Sequence, residues 1–118
     1  ESLSDANFIE DGQLEIKVTG VASNYIKFTI ARFIEGEDRL LDLVGAEDIT
    51  LTLKTGTKTQ TRRHDPMFPN VDMSQGEVMF KVPGWSVNKL TGTSGTFYIR
   101  LKHGNDNSLL YHGKLIKI

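Results

Sequence analysis

The chain has 118 residues, 38% hydrophobic and 25% charged, with 14 Lys+Arg against 15 Asp+Glu and a formal net charge of -1. At this size one core can hold a single domain together without staples, and the lack of cysteine removes disulfides, thiolate nucleophiles and zinc-thiolate sites together. No apolar run approaches the ~20 residues of a bilayer-crossing helix, and balanced charge gives no global field for phosphate backbones or acidic lipids, so a soluble protein is expected, with neither nucleic acid nor membrane as a partner.

The opening ESLSDANFIEDG carries only Leu3, Phe8 and Ile9 as large apolar residues. It reads as an arm over residues 1–12 whose apolar side chains dock on the domain or on a partner. The start at Glu1 fits a chain from which a leader or a longer parent has been removed. A single domain is expected over residues 13–118. In QLEIKV, Leu14, Ile16 and Val18 alternate with Glu15 and Lys17, the period-two signature of a half-buried strand. NYIKFTIARFI repeats the pattern with Ile26, Phe28 and Ile30 inward, and EGEDR supplies a charged turn at Gly36. RLLDLVGAED does not alternate cleanly and reads as a short strand or turn. DITLTLKTG is a clear strand with Ile49, Leu51 and Leu53 on one face and threonines favouring the other.

The threonines at alternate positions from Thr55 to Thr61 predict a polar edge strand, running into a Pro-bounded loop over Arg62 to Asn70. GEVMFKV points Val78, Phe80 and Val82 inward and stops at Pro83-Gly84, and SVNKLTGTSG reads as a linker. TFYIRLK sets Phe97, Ile99 and Leu101 against Tyr98, Arg100 and Lys102. LLYHGKLIKI places Leu110, His112, Lys114 and Ile116 on one face and Tyr111, Leu115 and Lys117 on the other. With Gly-Asn-Asp-Asn between them, these last two segments form a hairpin. About seven short strands without a helix predict an all-β fold, an immunoglobulin-like antiparallel β-sandwich, with a small closed barrel as the alternative.

Chemistry is sparse. His64-Asp65, beside Arg62 and Arg63, could orient an imidazole as a general base, but as a dipeptide before Pro66 it reads as a solvated loop. His103 and His112 could face each other across the hairpin, yet no third metal ligand accompanies them. Asn105, Asp106, Asn107 and Ser108 lack the spacing of a twelve-residue calcium loop and suit a turn. No phosphate cradle, nucleophile elbow or zinc helix motif occurs. No catalytic residue, metal or cofactor is expected. Aromatic residues are the remaining lead: Trp85 in a turn, with Tyr98 and Tyr111 on adjacent strands, could form a platform for a sugar or a partner protein.

The succession LVGAEDITLTLKTG, DMSQGEVMFKVP and GTFYIRLKHGNDNSLLYHGKLIKI, over about Tyr25 to Ile118, resembles the N-terminal β-sandwich domain of phage baseplate upper proteins and related tail-fibre or virion accessory domains. The Gly-Thr-aromatic-Tyr element, the polar turn and the Tyr-x-Gly-x-Leu-x-Ile exit strand carry the likeness. The resemblance implies a non-enzymatic adaptor on the virion, at the phage tail or capsid surface, that assembles with other virion proteins, forms a homo-oligomer and serves host attachment. Expected contacts are Phe8 and Ile9 in the arm, Arg62, Arg63 and Phe68 in the loop, and the threonine edge. The alternative is a carbohydrate-binding module of a secreted or surface protein, meeting a host-surface glycan through Trp85, Tyr98 and Tyr111 with Asn105 and Asp106 alongside.

Overall fold

The computed structural model describes residues 15–40, 42–46, 48–65, 71–103 and 106–118, with the side chains of 31–34, 38, 103 and 106–111 outside that description. Nine strands are present among these residues: β1 (Glu15–Val18), β2 (Asn24–Thr29), β3 (Ala31–Ile34), β4 (Glu37–Leu40), β5 (Asp48–Thr55), β6 (Lys58–Arg63), β7 (Glu77–Val82), β8 (Ser94–His103) and β9 (Asp106–Lys117). A 3-10 turn (Met73–Gln75) precedes β7, and a one-turn helix, α1 (Gly84–Val87), follows it.

The strands form a five-stranded sheet in the order β1-β9-β8-β5-β6 and two-stranded sheets β2-β7 and β3-β4. The five-stranded sheet and β2-β7 pack as an open sandwich, not a closed barrel. Alternation explains the layering. Ile49, Leu51 and Leu53 of β5, Phe97 and Ile99 of β8 and Leu115 of β9 are buried on one face. Val78, Phe80 and Val82 of β7, with Phe28 of β2, come from the facing sheet. The layers meet at Phe28, whose ring stands edge-on to Phe80 at 6.0 Å and tilted against Phe97 at 5.8 Å.

Three features depart from the expected strand pattern. The sheet is not wholly antiparallel, because β1 runs parallel to β9, pairing Glu15 with Lys114 and Val18 with Lys117. The segment expected as one strand from Asn24 to Ile34 divides at Ile30. There the β2-β7 ladder ends at Thr29 and Glu77, the Ile30 N–H bonds the Gly76 carbonyl at 2.8 Å, and β3 pairs with β4 instead. In β9 the buried parity belongs to Gly113 and Leu115, and Lys117 reaches in to donate from Nζ to the Leu90 carbonyl at 2.9 Å. The stretch after Pro83 is also more than a linker: α1 buries Ser86 and Val87 and leads to buried Leu90.

Candidate functional site

Pro83, with φ -62° and ψ 149°, ends β7 and launches α1. The helix is fixed from two sides. Ser86 Oγ donates to Gln60 Oε1 of β6 at 2.8 Å, and Asn88 Nδ2 donates to the Gly20 carbonyl at 3.0 Å. Close approach requires glycine at position 84, where a Cβ would lie 2.6 Å from the Gly20 carbonyl oxygen. With one side of α1 so committed, Trp85 is turned outward and remains 57% exposed. The Arg62 guanidinium stands 5.8 Å and the Lys89 ammonium 5.3 Å from its ring centre. Arg62 is itself held by a bond from Nε to the Lys81 carbonyl at 3.2 Å. An indole flanked by two cations is thus presented beside the edge strand β6, between the two sheets.

Strand alternation separates residues that adjoin in sequence. Arg62 turns to the flank beside Trp85, whereas Arg63 lies on the outer face of the five-stranded sheet, 3.5 Å from Asp48. Tyr98 occupies that same outer face, with the Arg100 guanidinium 5.2 Å from its ring centre. Trp85 and Tyr98 therefore do not share one platform. Tyr98 pairs with His112, while the backbone of Tyr111 stands opposite Ile99. Phe8, Ile9, Phe68 and Asn105 lie outside the described residues, and the side chains of Tyr111 and Asp106 are likewise not described.

The histidines are also redistributed. His103 pairs in register with Asp106 and His112 with Tyr98, so the two do not oppose each other. Among the described residues no group of three or more His, Asp or Glu could hold a metal ion. His64 is not a solvated loop residue. Its N–H bonds the Ile49 carbonyl at 2.8 Å, its Nδ1 accepts the Met79 N–H at 3.0 Å and lies 3.2 Å from the Met79 carbonyl oxygen, and its Nε2 is buried without a partner among the described residues. Burial lowers its pKa from the ordinary 6.5, against smaller raising effects of the Met79 backbone and the Asp65 carboxylate.

The threonine edge is divided too. Thr57, Thr59 and Thr61 are exposed, but Thr55 is 1% exposed and its Oγ1 accepts the Thr91 N–H at 3.0 Å. Sequence reasoning missed Gln60 and Lys89 as parts of the Trp85 site. The i, i+4 spacing of Trp85 and Lys89 was a usable signal for one turn of helix, whereas the Gln60 contact is long-range. No family model matches the chain, and no curated protein matches it. The geometry itself offers an anchor for association: an exposed indole, a guanidinium fixed over it and an adjacent sheet edge, a combination of residue types that dominates protein contact energetics.

Proposed function

We propose that this chain is a non-enzymatic virion structural or adaptor domain of a tailed phage, in the baseplate, tail fibre or head accessory proteins, that mediates protein-protein assembly or host attachment. The reading draws on the sequence resemblance for the setting and on the Trp85 flank for the mode of contact. The single observation that carries it is the 57% exposed Trp85 between Arg62 and Lys89, beside β6. Trp and Arg are enriched among residues whose truncation costs an interface most. Among the described residues β6 is the outermost strand of its sheet, and such an edge is where a partner strand can add.

The test is co-expression with the neighbouring virion proteins followed by sizing and cross-linking. A stable complex or homo-oligomer that dissociates on Trp85→Ala, with the melting temperature kept, supports the reading. A strict monomer in the presence of those proteins removes it. Glycan binding lost on Trp85→Ala would favour the carbohydrate-binding alternative, in which Trp85 supplies a stacking face apart from Tyr98.

A further inference from the structure

The outer face of the five-stranded sheet has a charge that the whole chain conceals. Register and alternation place Lys17, Lys54, Arg63, Arg100, Lys102 and Lys114 on it, all exposed. Against these six cations the described side chains of that face set only Glu15 and Asp48, a surplus of four positive charges on a chain of formal net charge -1. Lys17, Lys54 and Lys114 form no ion pair with a carboxylate among the described residues. Between the cations lie hydroxyls: Thr59, Thr61 and Thr96 are exposed, and Thr50 is half-buried. Cations separated by one intervening strand, such as Arg63 and Arg100 across Thr50, stand on strands ~10 Å apart.

We infer that this face binds a linear acidic polysaccharide, with Lys54, Arg100 and Lys114 meeting its sulfates or carboxylates and the threonine hydroxyls its sugar hydroxyls. The attraction is that of a concentrated positive field for a polyanion, with guanidinium groups suited to paired oxygens. Other polyanions fit less well. A protein interface has an apolar core depleted of charge, whereas this face has a polar central row, Thr61, Thr52, Tyr98 and His112, with cations on both sides of it. Single-stranded nucleic acid needs several stacking rings, whereas the ring described here, Tyr98, already has Arg100 beside it. The inference is independent of the assembly reading, which uses the flank beside Trp85.

The experiment titrates the 118-residue chain with heparin, a sulfated polysaccharide, and with polygalacturonate, a carboxylated one. Neutral dextran, polyglutamate and single-stranded DNA serve as comparisons, each at several salt concentrations. Expected are binding of at least one acidic polysaccharide, stronger than of any comparison polymer, and affinity that falls steeply with salt. Binding should weaken roughly tenfold or more in the triple variant Lys54→Gln, Arg100→Gln, Lys114→Gln, with the melting temperature kept. The paired variant Lys54→Gln, Lys114→Gln, which leaves the Arg100 and Tyr98 contact intact, should lose a smaller part and serves if the triple variant does not fold. The proposal is overturned by failure to bind either polysaccharide, by equal or tighter binding of polyglutamate, DNA or dextran, or by unchanged binding in the folded variants. Retained polysaccharide binding by Trp85→Ala supports this face, and its loss moves the site to the flank and overturns the assignment.

Discussion

The Met79 N–H donates to the imidazole Nδ1 of His64 at 3.0 Å, while the Met79 carbonyl accepts the N–H of Asp65 at 3.1 Å. Met79 belongs to β7 in one layer and His64 continues from β6 in the other, so a side-chain nitrogen completes a backbone ladder where the two sheets meet. The same Nδ1 lies 3.2 Å from the Met79 carbonyl oxygen, to which the protonated ring can donate, while Nε2 is buried with no partner among the described residues and the ring lies near Phe80, centres 6.4 Å apart.

This relationship makes the fold sensitive to acid. The folded pKa of His64 lies below 6.5, burial being the main cause. The unfolded chain therefore binds the proton first as pH falls, and stability follows the sign of that difference. The full contribution is present above about pH 6.5, is lost progressively below it, and levels off once the folded imidazole is also protonated. Denaturant midpoints measured between pH 8 and 5 should fall with pH. His64→Ala should flatten that dependence and, by leaving the Met79 N–H without an acceptor, cost roughly 1–3 kcal/mol at neutral pH. An unchanged slope in the variant would remove His64 from the explanation.

The β3-β4 hairpin contains a correctable strain. Ile34 pairs with Glu37, leaving Glu35-Gly36 as a two-residue loop with φ of 52° and 81°. Positive φ at both positions is the backbone of a type I′ turn, which favours Asn-Gly because a side chain such as that of Glu crowds the backbone there. Glu35→Asn should stabilise the protein by about 0.5–1 kcal/mol, read as a rise in melting temperature. A fall would show that the Glu35 carboxylate does something the backbone argument omits.

Much of the layering was legible because burial on one side of a strand writes period two into the sequence. Leu51, Leu53, Val78, Phe80, Phe97 and Ile99 were all assigned inward and all are fully buried. The division at Ile30 was not legible. In NYIKFTIARFI the parity of Ile26, Phe28 and Ile30 fails only at Arg32, past the division, and the ladder stops where the partner strand ends at Gly76. The parallel pairing of β1 with β9 joins opposite ends of the chain, and local pattern does not encode that choice. The candidate site divides in the same way. Trp85 could be singled out by residue type, but its separation from Tyr98 follows from strand alternation acting through distant contacts. His64 was misread as solvated because its partner Met79 lies beyond two prolines and a loop.

Gly95 marks a close crossing of backbones. A Cβ there would collide with the Lys54 carbonyl oxygen and come within 2.8 Å of Thr55 Cγ2. The obstacle is largely main chain within the central β5-β8 ladder, so it cannot rotate away. Gly95→Ala should cost about 1–3 kcal/mol through strain, although the substitution lowers the entropy of the unfolded chain. Equilibrium denaturation measures it, and a neutral result would mean that the β5-β8 register relaxes more readily than its position in the sheet implies.

Thr55 and Thr59 offer a paired test of which threonines belong to the surface. Both are on the polar segment around the β5-β6 turn, yet Thr55 is 1% exposed and accepts the Thr91 N–H through Oγ1, whereas Thr59 is exposed. Valine preserves the shape of either side chain and removes only the hydroxyl. Thr55→Val leaves the Thr91 N–H without its acceptor and should destabilise by roughly 1–3 kcal/mol. Thr59→Val meets no such loss, and a β-branched side chain suits an edge strand, so its change should stay within about 0.5 kcal/mol. Because the two substitutions are chemically identical, their difference isolates the buried bond; equal effects would show that this hydroxyl does not hold the chain after α1 to the end of β5.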